Sequence, residues 1–306
     1  MAHFPPAASV AIASIILNVV FVGLRVWARV LHSPRWQWAD VLVPLSLVLN
    51  LVLATLILVF LLSVGMSYSH PTPASLKLSA FYIPMIYGIA SAVPKLAVLD
   101  VYLGIFPARW ARWTLLATGA IIICNALAYI PTTIWQCKPI RFSWDHSIPG
   151  GTCNDFRLHF SLASLPNILT DLVILGVPIP IIAKLHLDKA VKAGVLATFL
   201  SGGIGLIASI IRFAMFLQWT PATNRTEKID ISSLVETSFY LVAACLLSLR
   251  PLVKRVVGSV ASYSGEHSRS RMNRKLGEGD STGELVGGRG GEGKGNVELV
   301  KVVAGV

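Results

Sequence analysis

Seven apolar stretches, each long enough to cross a bilayer, occupy the chain from about Ala7 to Leu252. A hydrocarbon core takes roughly 20 apolar residues as helix, and the intervals between the stretches leave no room for a water-soluble domain. In hydrocarbon every backbone N–H and C=O has to find its partner within the protein, which selects helices. The blocks are continuous and lack the alternation of barrel strands. The predicted spans are Pro6–Leu24, Asp40–Val64, Ser79–Phe106, Trp113–Trp135, Phe160–Lys184, Ala193–Leu217 and Ser232–Leu252. With 54% hydrophobic and only 13% charged residues, the composition is one that a soluble protein of 306 residues does not easily tolerate. The expected class is an all-α membrane protein, a seven-transmembrane helix bundle.

Basic residues set the expected direction. With the amino terminus outside, the inner segments carry Arg25, Arg29, Arg35, Arg109, Arg112, Lys184, Lys189, Lys192, Arg250, Lys254 and Arg255. The outer ones carry Lys77, Lys138, Arg141, Arg157, Arg225 and Lys228. Eleven against six favours amino terminus outside and carboxyl terminus in the cytoplasm. The net charge of +11 then follows the cytoplasmic loops and tail. It points to anionic lipid rather than nucleic acid. The expected organisation is a short extracellular segment over residues 1–6, a transmembrane domain over 7–255 and a cytoplasmic tail over 256–306. Met1–Pro6 has no basic n-region, so the first span reads as an uncleaved signal anchor. The tail, rich in Gly, Ser and mixed charge over Ser259–Gly295, is expected to be disordered. Ser262, Ser264, Ser268 and Ser270 stand there as phosphorylation candidates or simply as solvated residues.

Cys124 and Cys245 fall inside spans and read as apolar packing. Cys137 and Cys153 share the outer loop between the fourth and fifth helices, on the oxidising side, where a disulfide forms and persists. A bridge is expected there, with two free thiols as the alternative. The loop's Pro139, Gly150 and Gly151 suit a folded lid. A zinc site using His146 and His159 lacks a four-ligand set at the required spacing. Asn224-Arg225-Thr226 is a glycosylation sequon on the outer side.

Ionisable residues inside spans need partners, because each costs about 2.5–3.5 kcal/mol at mid-bilayer. Lys95, Asp100, Asp171, Arg212 and Glu236 are such residues. At helical spacing Gly88, Ser91, Lys95 and Tyr102 form one stripe, and Asn167 with Asp171 another. Gly205, Ser209 and Arg212 align on the sixth helix, as do Ser233, Glu236 and Tyr240 on the seventh. Polar stripes on apolar helices face the bundle interior. Comparing depths pairs Arg212 with Glu236 and Lys95 with Asp171 around a shared cavity. A ligand or ion site and a purely structural pair of ion pairs both fit this pattern. Pro178 and Pro180 should break or bend the inner half of the fifth helix. Gly202, Gly203 and Gly205 allow either close packing or a hinge in the sixth.

The motifs Cys137-Lys138-Pro139, Trp144, Gly151 and Cys153, together with Asp171, Pro178-Ile179-Pro180, Leu185, Lys192, Gly202-Gly203 and Arg212, resemble the fungal rhodopsin-domain integral membrane proteins, a group with receptor-like Pth-type and satratoxin-cluster-type members. Arg25, Arg29, Trp38-Ala39-Asp40, Lys95, Tyr102, Phe106, Glu236, Cys245 and Arg250-Pro251 also match. The resemblance spans nearly all of Ala7–Leu252. This chain departs from the pattern in having Asp40 alone where paired acids are frequent, Gly104 where a basic residue is frequent, and Asp100.

The resemblance implies a receptor-like protein of the plasma membrane. It would sense a small or apolar extracellular cue, with an unidentified small-molecule ligand and a cytoplasmic signalling partner. The Asp-Arg-Tyr and Asn-Pro-x-x-Tyr receptor signatures are absent, so coupling stays open. A carrier or accessory for small-metabolite transport in secondary metabolism is the alternative. Retinal is not expected, since Ser232–Leu252 holds no lysine for a Schiff base. No cofactor is expected. An enzyme is not expected either, because the spans carry no nucleophile–base arrangement.

Overall fold

Hydropathy alone divides the chain into seven helices, and the computed structural model has all seven. It describes residues 6–32, 37–66, 77–105, 108–145, 147–180, 189–218 and 227–249. In chain order these are α1 (Pro6–His32), α2 (Ala39–Met66), α3 (Ile83–Ile105), α4 (Arg109–Ile134), α5 (Phe156–Gly176), α6 (Lys189–Leu217) and α7 (Glu227–Leu249). All seven are long and apolar enough to span a membrane. The described residues fall within one compact unit, Met1–Val257; the second unit, Gly258–Val306, lies outside them, as do Asn224, His146 and the tail serines.

Large apolar side chains such as Ile16, Val30, Val48, Leu127, Leu169 and Ile207 point outward. In water such a surface would aggregate; in lipid it is the solvated face. Exposed Trp27, Trp38, Trp110 and Trp113 gather toward the end where α1 hands over to α2. Tyr82 and Trp135 lie toward the opposite end, near the α4–α5 loop. Amphipathic rings at both ends mark where a bilayer meets water. This is a multi-pass membrane protein.

Two apolar layers fill the interior. One, toward the α1–α2 end, contains Val22, Val43, Val98, Leu115, Ile174 and Leu241. The other, toward the α4–α5 loop, contains Leu53, Ile57, Ile83, Tyr129, Phe160, Phe216 and Leu234. Lys95, Asp171, Arg212 and Glu236 lie buried between them.

Local chemistry sets the helix ends. Asp155 caps α5 by accepting the Arg157 N–H at 3.0 Å. One π-helical turn, Leu78–Tyr82, precedes α3. The fifth helix ends at Gly176 with a turn at Val177 before residues 178–180 resume helical form, the break expected from prolines that cannot donate to the ladder. Cys137–Lys138 (β1) and Thr152–Cys153 (β2) pair antiparallel with Cys137 opposite Cys153, and a disulfide joins the two cysteines. Phe142 packs where a Gly151 side chain would stand, so that glycine is required by close approach.

Two expectations need adjustment. The first helix runs eight residues beyond Leu24, because Arg25 turns inward rather than leaving the membrane. Cys124 is exposed on α4, facing lipid rather than packed inside, whereas Cys245 is buried. Of the two uses expected for the α6 glycines, Gly202 and Gly205 serve close packing in a continuous helix, whereas a Cβ at Gly203 would meet nothing. A Cβ at Gly202 would lie 2.7 Å from Leu175 Cδ2, and one at Gly205 would lie 2.8 Å from Tyr240 Cε2.

Candidate functional site

Each polar stripe identified in the sequence turns inward. Lys95, Asp171, Arg212 and Glu236 are at most 3% exposed, and Ser91, Asn167, Ser209, Ser233 and Tyr240 are buried beside or near them. Lys95 on α3 lies 2.5 Å from Asp171 Oδ1 on α5, and Arg212 on α6 lies 3.2 Å from Glu236 Oε2 on α7. Both expected pairs are therefore present.

They are not separate. Lys95 Nζ is also 3.5 Å from Glu236 Oε1, and it donates to Asn167 Oδ1 at 2.7 Å. Asn167 Nδ2 donates onward to Glu236 Oε1 at 2.5 Å. The Tyr87 hydroxyl donates to Glu236 Oε2 at 2.8 Å, and the Ser209 hydroxyl donates to Asp171 Oδ2 at 3.0 Å. The Arg212 guanidinium lies over the Tyr87 ring at 4.3 Å and near Phe216 at 5.9 Å, and Lys95 Nζ lies 4.9 Å from the Tyr240 ring centre. One network thus joins α3, α5, α6 and α7, with two formal positive charges against two negative. Low dielectric strengthens such contacts and makes any unpaired member expensive. The stripes supplied Asn167, Ser209 and Tyr240; Tyr87 was missed, since an aromatic in an apolar run reads as packing.

The network leaves little room. Two adjoining voids beside it, of about 10 and 20 Å³, are lined by Gly88, Ser91, Asn125, Ala126 and Asn167. Their size suits a water molecule, not the roughly 300–1,000 Å³ pocket of a drug-sized ligand. The shared cavity expected from sequence is instead filled by the side chains themselves. Gly88 contributes to the tightness, for a Cβ there would meet Tyr129 Cδ1 at 2.5 Å.

A second polar assembly holds the α1–α2 end. Arg25, 2% exposed, donates from NH1 to the Ala244 carbonyl of α7 at 2.8 Å and reaches Asp40 Oδ1 at 3.4 Å. Arg29 lies 3.1 Å from the same Asp40 oxygen and donates to Gln37 Oε1 at 2.7 Å. Asp100 on α3 accepts the Ala39 N–H at 2.8 Å, capping α2 from a neighbouring helix. The unusual Asp100 thus has a structural use that no local motif announces. Between these assemblies, Asn18 of α1 donates to Ser238 of α7 at 3.1 Å.

Residues 24–255 match the fungal rhodopsin domain family. The chain belongs to that family. Within it, the chain is 28% identical over 274 residues to the polyenoic acids biosynthesis gene cluster protein Ba17b of Metarhizium anisopliae, covering 81% of this chain and 75% of that protein. It is 25% identical to Receptor GIN3 of Arthrobotrys oligospora over 64% of this chain. It is 26% identical to an SAT4 family membrane protein of Emericella nidulans over 63% of this chain. The matched region spans 49% of the length of each of the latter two. No solved structure matches the chain. The observed α7 begins at Glu227 and so takes in Lys228, which is exposed at the helix start, while Lys95 of α3 is engaged by Asp171 and Asn167.

Proposed function

We propose that this fungal rhodopsin-domain protein is receptor-like and non-enzymatic, sensing a small or apolar cue from outside the cell without retinal. In this reading it sits in the plasma membrane with its amino end outside and its carboxyl end in the cytoplasm, where a signalling partner meets it. The observation that carries the reading is the buried network of Lys95, Asp171, Arg212 and Glu236 at the meeting of four helices. A change in any one pairing alters the fit of four helices at once, which is how a small ligand biases a bundle between two arrangements. The likeness to a protein named as a receptor supports the same class.

A second reading, an accessory or carrier for small-metabolite transport, draws on the relative named for a polyenoic acids biosynthesis gene cluster. It also draws on the habit of intramembrane charges to mark transport paths. The deciding experiment compares a deletion strain with one carrying Glu236→Gln, scoring both cue-triggered signalling and metabolite export. Lost signalling with intact export supports the receptor reading; lost export with intact signalling supports the carrier and overturns it. Reporter tags that place both ends on one side of the membrane would overturn the orientation.

A further inference from the structure

The voids beside the network belong to one crevice with a defined mouth. Its α3 lining, Tyr87, Gly88, Ser91 and Ala92, is buried, whereas Asn125 and Ala126 of α4 and Ala163 and Pro166 of α5 are partly exposed. The crevice therefore opens between α4 and α5. The faces on either side are lipid-facing, with Leu127 on α4 and Leu162, Leu165 and Leu169 on α5 exposed. At its inner end stands Arg212.

Two side chains here carry hydrogen-bonding groups that find no partner among the described residues. Arg212, 3% exposed, has no hydrogen-bond acceptor for Nε among the described residues. Asn125, about two thirds of the way along α4, makes no side-chain hydrogen bond among them either. A primary amide held in hydrocarbon without a partner is expensive, and such a group marks a site where a partner arrives.

The electrostatics narrow what arrives. The formal charges of Lys95, Arg212, Asp171 and Glu236 cancel, so the crevice offers donors but no surplus positive charge to neutralise an anion. Its volume admits one small polar group and not a whole ligand.

We infer that the α4–α5 crevice is a lateral binding site for a neutral, membrane-dissolved amphiphile with an oxygen head, such as a long-chain alcohol or ketone. The head enters between Asn125 and Arg212 while the tail stays in lipid along α4 and α5. This site rests on the proposed ligand-binding role and names its ligand class. It also explains how an interior with room for only a water molecule engages a larger molecule.

The test uses the full chain in lipid nanodiscs with two photoactivatable diazirine probes of equal chain length, a long-chain alcohol and the corresponding ionised fatty acid. The alcohol should label α4 and α5 peptides at the crevice, and excess unlabelled alcohol should compete. Asn125→Leu should lower that labelling about five- to ten-fold, the worth of one hydrogen bond. Val48→Ala, on the exposed face of α2 away from the crevice, should leave it unchanged. Because Asn125→Leu favours insertion, monodispersity and melting temperature should hold, separating lost binding from lost fold. Labelling spread evenly over all lipid-facing helices, preference for the ionised acid, or labelling indifferent to Asn125→Leu would overturn the site. So would a self-associated state that Asn125→Leu dissociates while labelling is unchanged, for Asn125 would then serve a second copy of the chain. Labelling is read without signalling, so specific labelling in a protein that fails to signal would sink the receptor reading and leave this site standing.

Discussion

Lys95 and Asp171 meet at 2.5 Å across α3 and α5 with side chains 1% and 0% exposed, and Lys95 also stands 3.5 Å from Glu236. One ammonium therefore serves two carboxylates on different helices. Removing it leaves Asp171 without a cation, whereas removing Asp171 leaves Lys95 its second acid; Glu236 keeps Arg212 in either case.

Lys95→Met should accordingly destabilise more than Asp171→Asn. Breaking a buried pair from one side costs about 3–5 kcal/mol. The double variant Lys95→Met with Asp171→Leu should recover part of that loss, because no Asp171 charge is left unpaired. Thermal unfolding in nanodiscs, read by fluorescence-detected gel filtration, checks the ranking; equal losses in all three would refute it.

At the other end, Asp40→Ala should cost about 1.5–3 kcal/mol, the range for hydrogen bonds to charged groups. It takes the shared carboxylate from both Arg25 and Arg29. Arg25→Lys should also destabilise despite its retained charge, since a single ammonium does not reproduce the guanidinium's two-way reach to Ala244 and Asp40. Wild-type stability in Arg25→Lys would contradict the clamp.

Asp100→Ala should remove the cap on α2 and cost about 1 kcal/mol. Hydrogen exchange should quicken at the first turn of α2 and not at α5, where Asp155 supplies its own cap. Asp100→Asn keeps an accepting oxygen and should stay near wild type.

Cys137→Ser should abolish the mobility difference between reduced and non-reduced protein. For a bridge of separation 16 the chain-entropy argument puts the loss near 3 kcal/mol. Unchanged melting with the bridge removed would show that β1, β2 and the Phe142 contact hold the loop unaided.

The seven spans were legible because lipid imposes a length and a composition that few other environments impose. The pairs Lys95–Asp171 and Arg212–Glu236 were legible because helical spacing gives the inward face and topology gives depth. Their fusion was not. Whether Glu236 reaches Lys95 depends on how α7 is rotated against α3 within a few ångströms, which no single-helix pattern carries. Arg25 misled for a related reason: a basic residue at the end of an apolar run reads as the start of a loop, yet here it is drawn inward by Asp40 and a carbonyl of α7. Asp100 looked like an isolated anomaly because its partner lies in α2, and Asn125 went unread because nothing in its own helix marks it.

The central claim is that the four intramembrane charges act as one unit. A double-mutant cycle between members of different pairs, Asp171→Asn with Arg212→Met, reads this directly by unfolding free energy. A coupling of about 0.5–3 kcal/mol is the result for a shared network. Additivity within about 0.3–0.5 kcal/mol would show two independent ion pairs and contradict it.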